Sequence, residues 1–516
     1  MAFKWIGGST VDHPMADAKQ ARQIIDGLPT NPVRALQEVT EWLESLTQTE
    51  GFRLNRRFEN IGLLEGAVKN HQRTLLQDYL SAPRPQKFQE NKLWNGVFGF
   101  WKQLENAYIL CVREYDSGFS GITSIGISLP VIMARALRAL ALQLKWALFR
   151  YGPVEPRIWA EIAGLYRLAE QKGVADGVIA IYPDERGRST LQREFLKAVM
   201  LSASSLDGLP LIRQEIAERA VAHFAGAFRL STRPEGCTHC FDLALPKPPV
   251  RLFKGAEPTE TLRYFGAGEK LAGLDQLTAQ ILSGSIPADF NLGGSYEPEL
   301  VAGVLKHLAQ TWSLTPPVRS AERRQTAGRA TVVPGLKEIL STLEPSAGDD
   351  LNFGQQPSAE SWIVDNVSDG GYGAIIPVRT GEWVRVGALV GLKSETSQYW
   401  AIGFVCRITS DEHQQRHVGI QLLTKAAIPL KLSMWDSMSS LDFNLSTEPG
   451  VLLAASPDAE GEVGVLLCKG VLNGVFKEPD KLELKFRDKS LRVMLSKIVE
   501  AGEDFDWAKL KILPTT

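Results

Sequence analysis

Apolar residues recur at the helical period from Asn31 onward: Val33, Leu36, Val39 and Leu43 form one stripe behind Asn31-Pro32, a cap with proline in the first turn. The same period predicts helices at about 59–80, 89–115, 129–150, 156–173, 189–204 and 208–228, one of them opened by the capping box Ser189-Thr190-Leu191-Gln192. The most apolar of these, Val131 to Phe149, carries Arg135, Arg138 and Lys145 on one face, so it reads as a buried amphipathic helix and not a membrane span. Paired with Glu155–Lys172 it has the small/large alternation of a helical hairpin, but no regular tetratricopeptide period runs through the chain. The pattern predicts an irregular α-helical bundle or degenerate helical-hairpin scaffold, with Trp94, Phe98, Phe100, Trp101 and Tyr108 in its core and an unidentified protein partner on its surface.

Past residue 235 the helical period thins. Phe241 to Val250 reads as an extended segment, helices return at about 269–284 and 297–312, and Pro316-Pro317 marks a boundary. Alternation with a period of two then takes over, in Ala330–Val333, Ser361–Val364, Ala374–Val378, Val386–Val390 and His417–Leu423. A tail of short strands follows at Gly450–Ser456, Gly464–Cys468, Val475 with Phe476, Lys481–Phe486 and Ser490–Glu500. The expected organisation is multidomain α+β: a helical scaffold over 1–235, an extended segment with linking helices over 236–315, a barrel over 316–427 and a β-rich extension over 428–516.

Composition narrows the function classes. Among 516 residues, 57 Lys and Arg face 59 Asp and Glu for a formal charge of -2, so the overall balance points to neither a nucleic acid polymer nor an acidic membrane, and an anion site must be local. Five scattered cysteines, an odd number, argue against a disulfide framework, and the opening Met-Ala-Phe-Lys-Trp-Ile-Gly-Gly has no apolar core of signal-peptide length; the expected location is cytoplasmic. Cys237-Thr238-His239-Cys240 lacks a second Cys/His pair at metal-binding spacing, and no phosphate loop, Gly-x-Ser-x-Gly or His-Glu-x-x-His occurs. The expectation is a non-enzymatic protein without metal or cofactor.

Local anion chemistry is concentrated in two places. Arg319, Arg323, Arg324 and Arg329 precede the apolar run Ala330–Val333, and the glycine-dense turn Asn366-Val367-Ser368-Asp369-Gly370-Gly371-Tyr372-Gly373 joins two strand patterns. A cationic arm, a strand, then Asn-x-Ser-x-x-Gly: this order resembles the PilZ domain, a bacterial receptor for cyclic di-GMP, over about residues 316–425. The family signature is Arg-x-x-x-Arg ahead of the first barrel strand, then Asp or Asn-x-Ser-x-x-Gly between the second and third. The resemblance implies a PilZ-like β-barrel and a cyclic di-GMP site made of Arg323, Arg324, Arg329, Asn366, Ser368 and Gly371. Arg319 is a spare, because it stands far from a strand expected to begin at Ala330. Arginine forks pair with phosphate and with the O6/N7 edge of guanine and stack on purines, Asn366 and Ser368 serve the other guanine edge, and Gly371 clears space for it. The arm, on a connection outside the barrel wall, is expected to be mobile until ligand pins it. The implied role is a cytoplasmic receptor that passes the signal to a protein partner in motility, surface attachment or exopolysaccharide control; the alternative is an assembly adaptor whose barrel no longer binds nucleotide.

Overall fold

The computed structural model describes residues 11–514 except 82–86, 119–127, 184–186, 254–257, 316–321, 344–358, 378–382, 414, 436–446, 455 and 475–480. Two compact units result, one of residues 1–206 and 211–317, the other of residues 207–210 and 318–516. No helix among the described residues is long and apolar enough to cross a membrane.

The first unit is helical: α1 (Ala18–Asp26), α2 (Pro32–Gln48), α3 (Leu54–Ala67), α4 (Lys69–Ser81), α5 (Lys87–Asp116), α6 (Leu129–Phe149), α7 (Pro156–Gln171), α8 (Leu191–Ser202) and α9 (Leu211–Phe224). Asn31 caps α2 as its sequence predicts, its Oδ1 accepting the Arg34 N–H at 3.1 Å while Leu36, Val39 and Leu43 are buried. The single helix expected at 59–80 is two, because Val68 leaves helical geometry between α3 and α4. Helix α6 is buried nearly all round, and its cations go in with it: Lys145 Nζ reaches Glu215 at 2.5 Å and Glu218 at 3.0 Å, and Arg135 Nε donates to the Ile181 carbonyl at 3.1 Å. Four short strands, β1 (Arg229–Ser231), β2 (His239–Asp242), β3 (Val250–Arg251) and β4 (Leu262–Gly266), make a sheet in the order β1-β4-β2-β3, followed by α10 (Ala272–Leu282) and α11 (Pro298–Trp312). Cys237 and Cys240 pack there against Tyr264, and burial pushes both thiols up. His239 is driven down to about 4 by burial and the nearby Arg251, and stacks on Phe265.

The second unit begins with β5 (Arg324–Pro334), then α12 (Gly335–Leu343), β6 (Glu360–Ser368), β7 (Gly371–Ile376), β8 (Leu389–Ser394), β9 (Ala401–Ser410) and β10 (Arg416–Thr424). These six strands close into a barrel in the order β10-β7-β6-β5-β8-β9, all antiparallel. The tail is a second closed barrel of β11 (Ile428–Met434), β12 (Glu448–Leu452), β13 (Glu462–Cys468), β14 (Lys481–Phe486), β15 (Lys489–Ala501) and β16 (Phe505–Ile512). Val475 and Phe476 lie outside the described residues. Numbering the strands one to six within each barrel gives the same circuit, 1-2-3-6-5-4 and back to 1, so the two barrels are topological copies in tandem. Helix α12 is wedged between them: Leu336, Ile339 and Leu340 share a core with Leu389 and Ile402 of the first barrel and Val451, Leu466 and Phe505 of the second.

One expectation fails here. The first barrel strand begins at Arg324, six residues before Ala330, and already pairs with β6 there, Arg324 opposite Val367 and Gln325 opposite Asn366, before a bulge leads to Gly328 opposite Val364. Arg324 and Arg329 therefore sit on the barrel wall, not on a loose connection. A run of polar residues hides a strand from a search for apolar alternation when both of its faces at the barrel end meet solvent.

Candidate functional site

Residues opposed in register share a face of a sheet, and the buried Ala374, Ile376, Val418 and Ile420 mark the inner face of β7 and β10. The outer face then carries Asn366 opposite Gly373 and Ser368 opposite Gly371 on β6 and β7, with Gly419 and Gln421 of β10 alongside those two glycines. Gly371, Gly373 and Gly419 put three residues without side chains together on this face, and the Asn366 amide lies over Gly373.

Each glycine also has a local reason. A β-carbon on Gly373 would overlap the Asn366 amide, whose Nδ2 donates to Asp365 Oδ1 at 2.9 Å. Asn366 Oδ1 is buried without a hydrogen-bond partner. An orphaned acceptor of that kind costs about 1–3 kcal/mol unless something donates to it. A β-carbon on Gly371 would overlap the Ile420 carbonyl oxygen, so this glycine is required for β7 to close on β10; the occlusion of ligand expected from a larger residue there is secondary to that backbone clash. Ser368 Oγ donates to the Gly371 carbonyl at 3.4 Å, and the Leu422 N–H donates to the Gly370 carbonyl at 2.9 Å, tying the hairpin tip to β10.

The arginines divide. Arg323 immediately precedes β5, and its charge is felt at Cys406, where burial raises the thiol pKa while Arg323 and Arg407 act against that rise. Cys406 Sγ donates to the Gly419 carbonyl at 3.3 Å. Arg324 is exposed at the strand end opposite Val367, one residue from Ser368. Arg329 stands opposite Ile363 and its Nη1 donates to Ser361 Oγ at 3.4 Å, which holds the guanidinium on the side away from Asn366. From the register of Ile363 to that of Asn366 is about 10 Å along the strand. Arg319 lies outside the described residues, but with β5 beginning at Arg324 the pair Arg319-x-x-x-Arg323 ends one residue before the strand, so the distance that made Arg319 a spare disappears. The fold thus brings Asn366, Ser368 and Gly371 together, sets Arg324 at the adjoining strand end and leaves Arg329 apart. Sequence reading passed over Gly373, Gly419 and Cys406; the Gly-x-Gly spacing of Gly371 and Gly373 was their one visible signal.

The second barrel presents different chemistry at the same topological place. Its β12–β13 hairpin holds Asp458, Glu460 and Glu462 with their carboxylates within 4.8 Å of one another, and Lys509 binds Asp458 at 2.7 Å and Glu462 at 3.4 Å. No arginine stands between Arg416 and β11. Both hairpins are acidic, Asp365 and Asp369 standing in the first, so the arginines at the start of β5 are what sets the first barrel apart.

Two family models match the chain. One, described as the N-terminal domain of the cyclic-di-GMP receptor FimW, matches residues 19–235, and the other, the middle PilZ domain of the same receptor, matches residues 345–429. Together they take in more than half of the chain, and the second barrel lies outside both. No curated protein matches it in sequence.

Proposed function

The chain belongs to the cyclic-di-GMP receptor family whose middle domain is a PilZ barrel, and from that premise we propose that it binds the dinucleotide on the outer face of its first barrel and relays the signal to a protein partner through its helical unit. Arg319 and Arg323 take phosphate and the guanine O6/N7 edge, Arg324 assists from the strand end, and Asn366 and Ser368 serve a second guanine edge. Arg329 contributes only if ligand draws it from Ser361. The observation that carries the reading is the unpartnered Asn366 Oδ1 over a cluster of three glycines: guanine presents N1–H and N2–H donors that suit this acceptor once the amide turns off Gly373.

Bidentate arginine contacts are worth roughly 1.5–3 kcal/mol each before the cost of ordering, so two or three supply a micromolar site. The arginines at the start of β5, which have no counterpart just ahead of β11, favour the first barrel as the dinucleotide site, and the second barrel together with α12 serves as its support. The receptor acts in the cytoplasm, in control of motility, surface attachment or exopolysaccharide. Calorimetric titration of cyclic di-GMP into the intact chain tests the site: Arg323→Ala should abolish or strongly weaken the isotherm. An adaptor that has lost nucleotide binding would give no heat in either protein.

A further inference from the structure

The helical unit contains a cleft of about 810 Å³ walled by α1, α3, α4 and α6, within the range of small-molecule sites. Six of its lining side chains are cationic and two acidic. One of those acids, Glu65, is buried and its carboxyl is pushed above its ordinary pKa by that burial, although Tyr108 and Tyr182 both donate to it. The other, Glu59, is already ion-paired with Arg56 Nη1 at 3.4 Å. The remaining donors on Arg56, Nε and Nη2, and the Gln72 Nε2 beside them have no acceptor.

The cleft also has a flat layer. The Arg135 guanidinium lies 4.8 Å from the Phe58 ring centroid and 4.5 Å from that of Tyr182. Gly62 lies in the interior of α3, where it costs about 1 kcal/mol of helix stability relative to alanine, and Gly66 stands one turn on, next to the last residue of the helix. Gly62 is explained by Arg135, whose Nη1 would sit 3.1 Å from a β-carbon there; Gly66 is not explained by packing, since nothing lies within 4 Å of the corresponding point. The open space at Gly66, beside unpartnered guanidinium donors and a ring–guanidinium layer, has the composition of a site for a flat aromatic anion.

We propose that this cleft binds a ligand of the mononucleotide class, its base against the Phe58, Arg135 and Tyr182 layer and its phosphate on Arg56 at the mouth, where Arg22 is exposed. The test uses the full chain carrying Arg323→Ala, which silences the barrel face, titrated with GMP, AMP, UMP and inorganic pyrophosphate. At least one mononucleotide binds at least tenfold more tightly than pyrophosphate. Gly66→Leu fills the open wall with a better helix former, so it raises the thermal midpoint while weakening nucleotide binding at least tenfold; Arg56→Ala weakens binding to a similar degree without filling the space. Silence towards all mononucleotides, pyrophosphate binding as tight as nucleotide, binding unchanged in both variants, or preference for an acidic tyrosine-containing peptide over every mononucleotide would each overturn the proposal.

Discussion

Gly371 shows how one residue serves fold and site together. Its missing side chain lets β7 approach the Ile420 carbonyl on β10, so Gly371→Val should break the closure of the first barrel and not merely shield its surface. Circular dichroism and limited proteolysis of that variant should report a destabilised barrel; a fully folded variant that has lost only ligand affinity would show that β7 can move aside. Ser368 offers a cleaner deletion. Ser368→Ala should cost about 1–2 kcal/mol of cyclic di-GMP affinity with unchanged thermal stability, since its Oγ makes only a long bond to the Gly371 carbonyl. Among the arginines, Arg323→Ala should weaken binding more than Arg329→Ala, because Arg329 is engaged by Ser361. The reverse order, read by calorimetry, would mean that ligand pulls Arg329 across roughly 10 Å of strand. The motif residues Asn366, Ser368 and Gly371 were legible in the sequence because glycine density and short polar side chains have a distinct composition. Gly419 was not, since its partner Gly373 is a neighbour only after β10 returns to β7.

At the scale of elements, β5 links the arginines to α12 without a break. Its N-terminal half pairs with β6 on both sides of a bulge, so amide exchange in the free protein should show residues 328–334 protected to a similar degree as β6. Rapid exchange there, slowed by cyclic di-GMP, would restore an arm that orders on binding. The α12 wedge is fixed at its start by Asp504, whose Oδ2 accepts the Leu336 N–H at 2.7 Å. Asp504→Ala should therefore cost about 0.5–2 kcal/mol of stability, read as a lower denaturation midpoint; an unchanged midpoint would show that the shared apolar core alone holds the helix. Periodicity found the long helices well, α2, α5, α6 and α7 among them, because their stripes run for several turns. The break at Val68 was invisible, since a valine has no terminator chemistry and local geometry alone separates α3 from α4. Polar β5 was missed for the reason its ends are exposed, and β11 because Ile428-Pro429-Leu430 follows a turn with proline inside it.

For the molecule as a whole, the second barrel changes what the first can be read to do. Its tail of strands was visible in the sequence, but closure and the repeated circuit depend on pairings between residues far apart, such as Glu462 with Lys511, which no local pattern records. The repeat keeps the fold but not the arginines ahead of its first strand, a separation expected when architecture and ligand chemistry rest on different residues. The central claim is that one barrel face, built on Arg323, Asn366, Ser368 and its glycine floor, recognises guanine and phosphate together. Calorimetric titration of the intact chain with cyclic di-GMP and, in parallel, cyclic di-AMP tests this most directly, since adenine places an amine where guanine has O6 and leaves an arginine fork only N7 to donate to. The account predicts a micromolar isotherm for cyclic di-GMP, lost in Arg323→Ala, and much weaker binding of cyclic di-AMP. Equal affinity for the two, or a cyclic di-GMP isotherm untouched by Arg323→Ala, would contradict it.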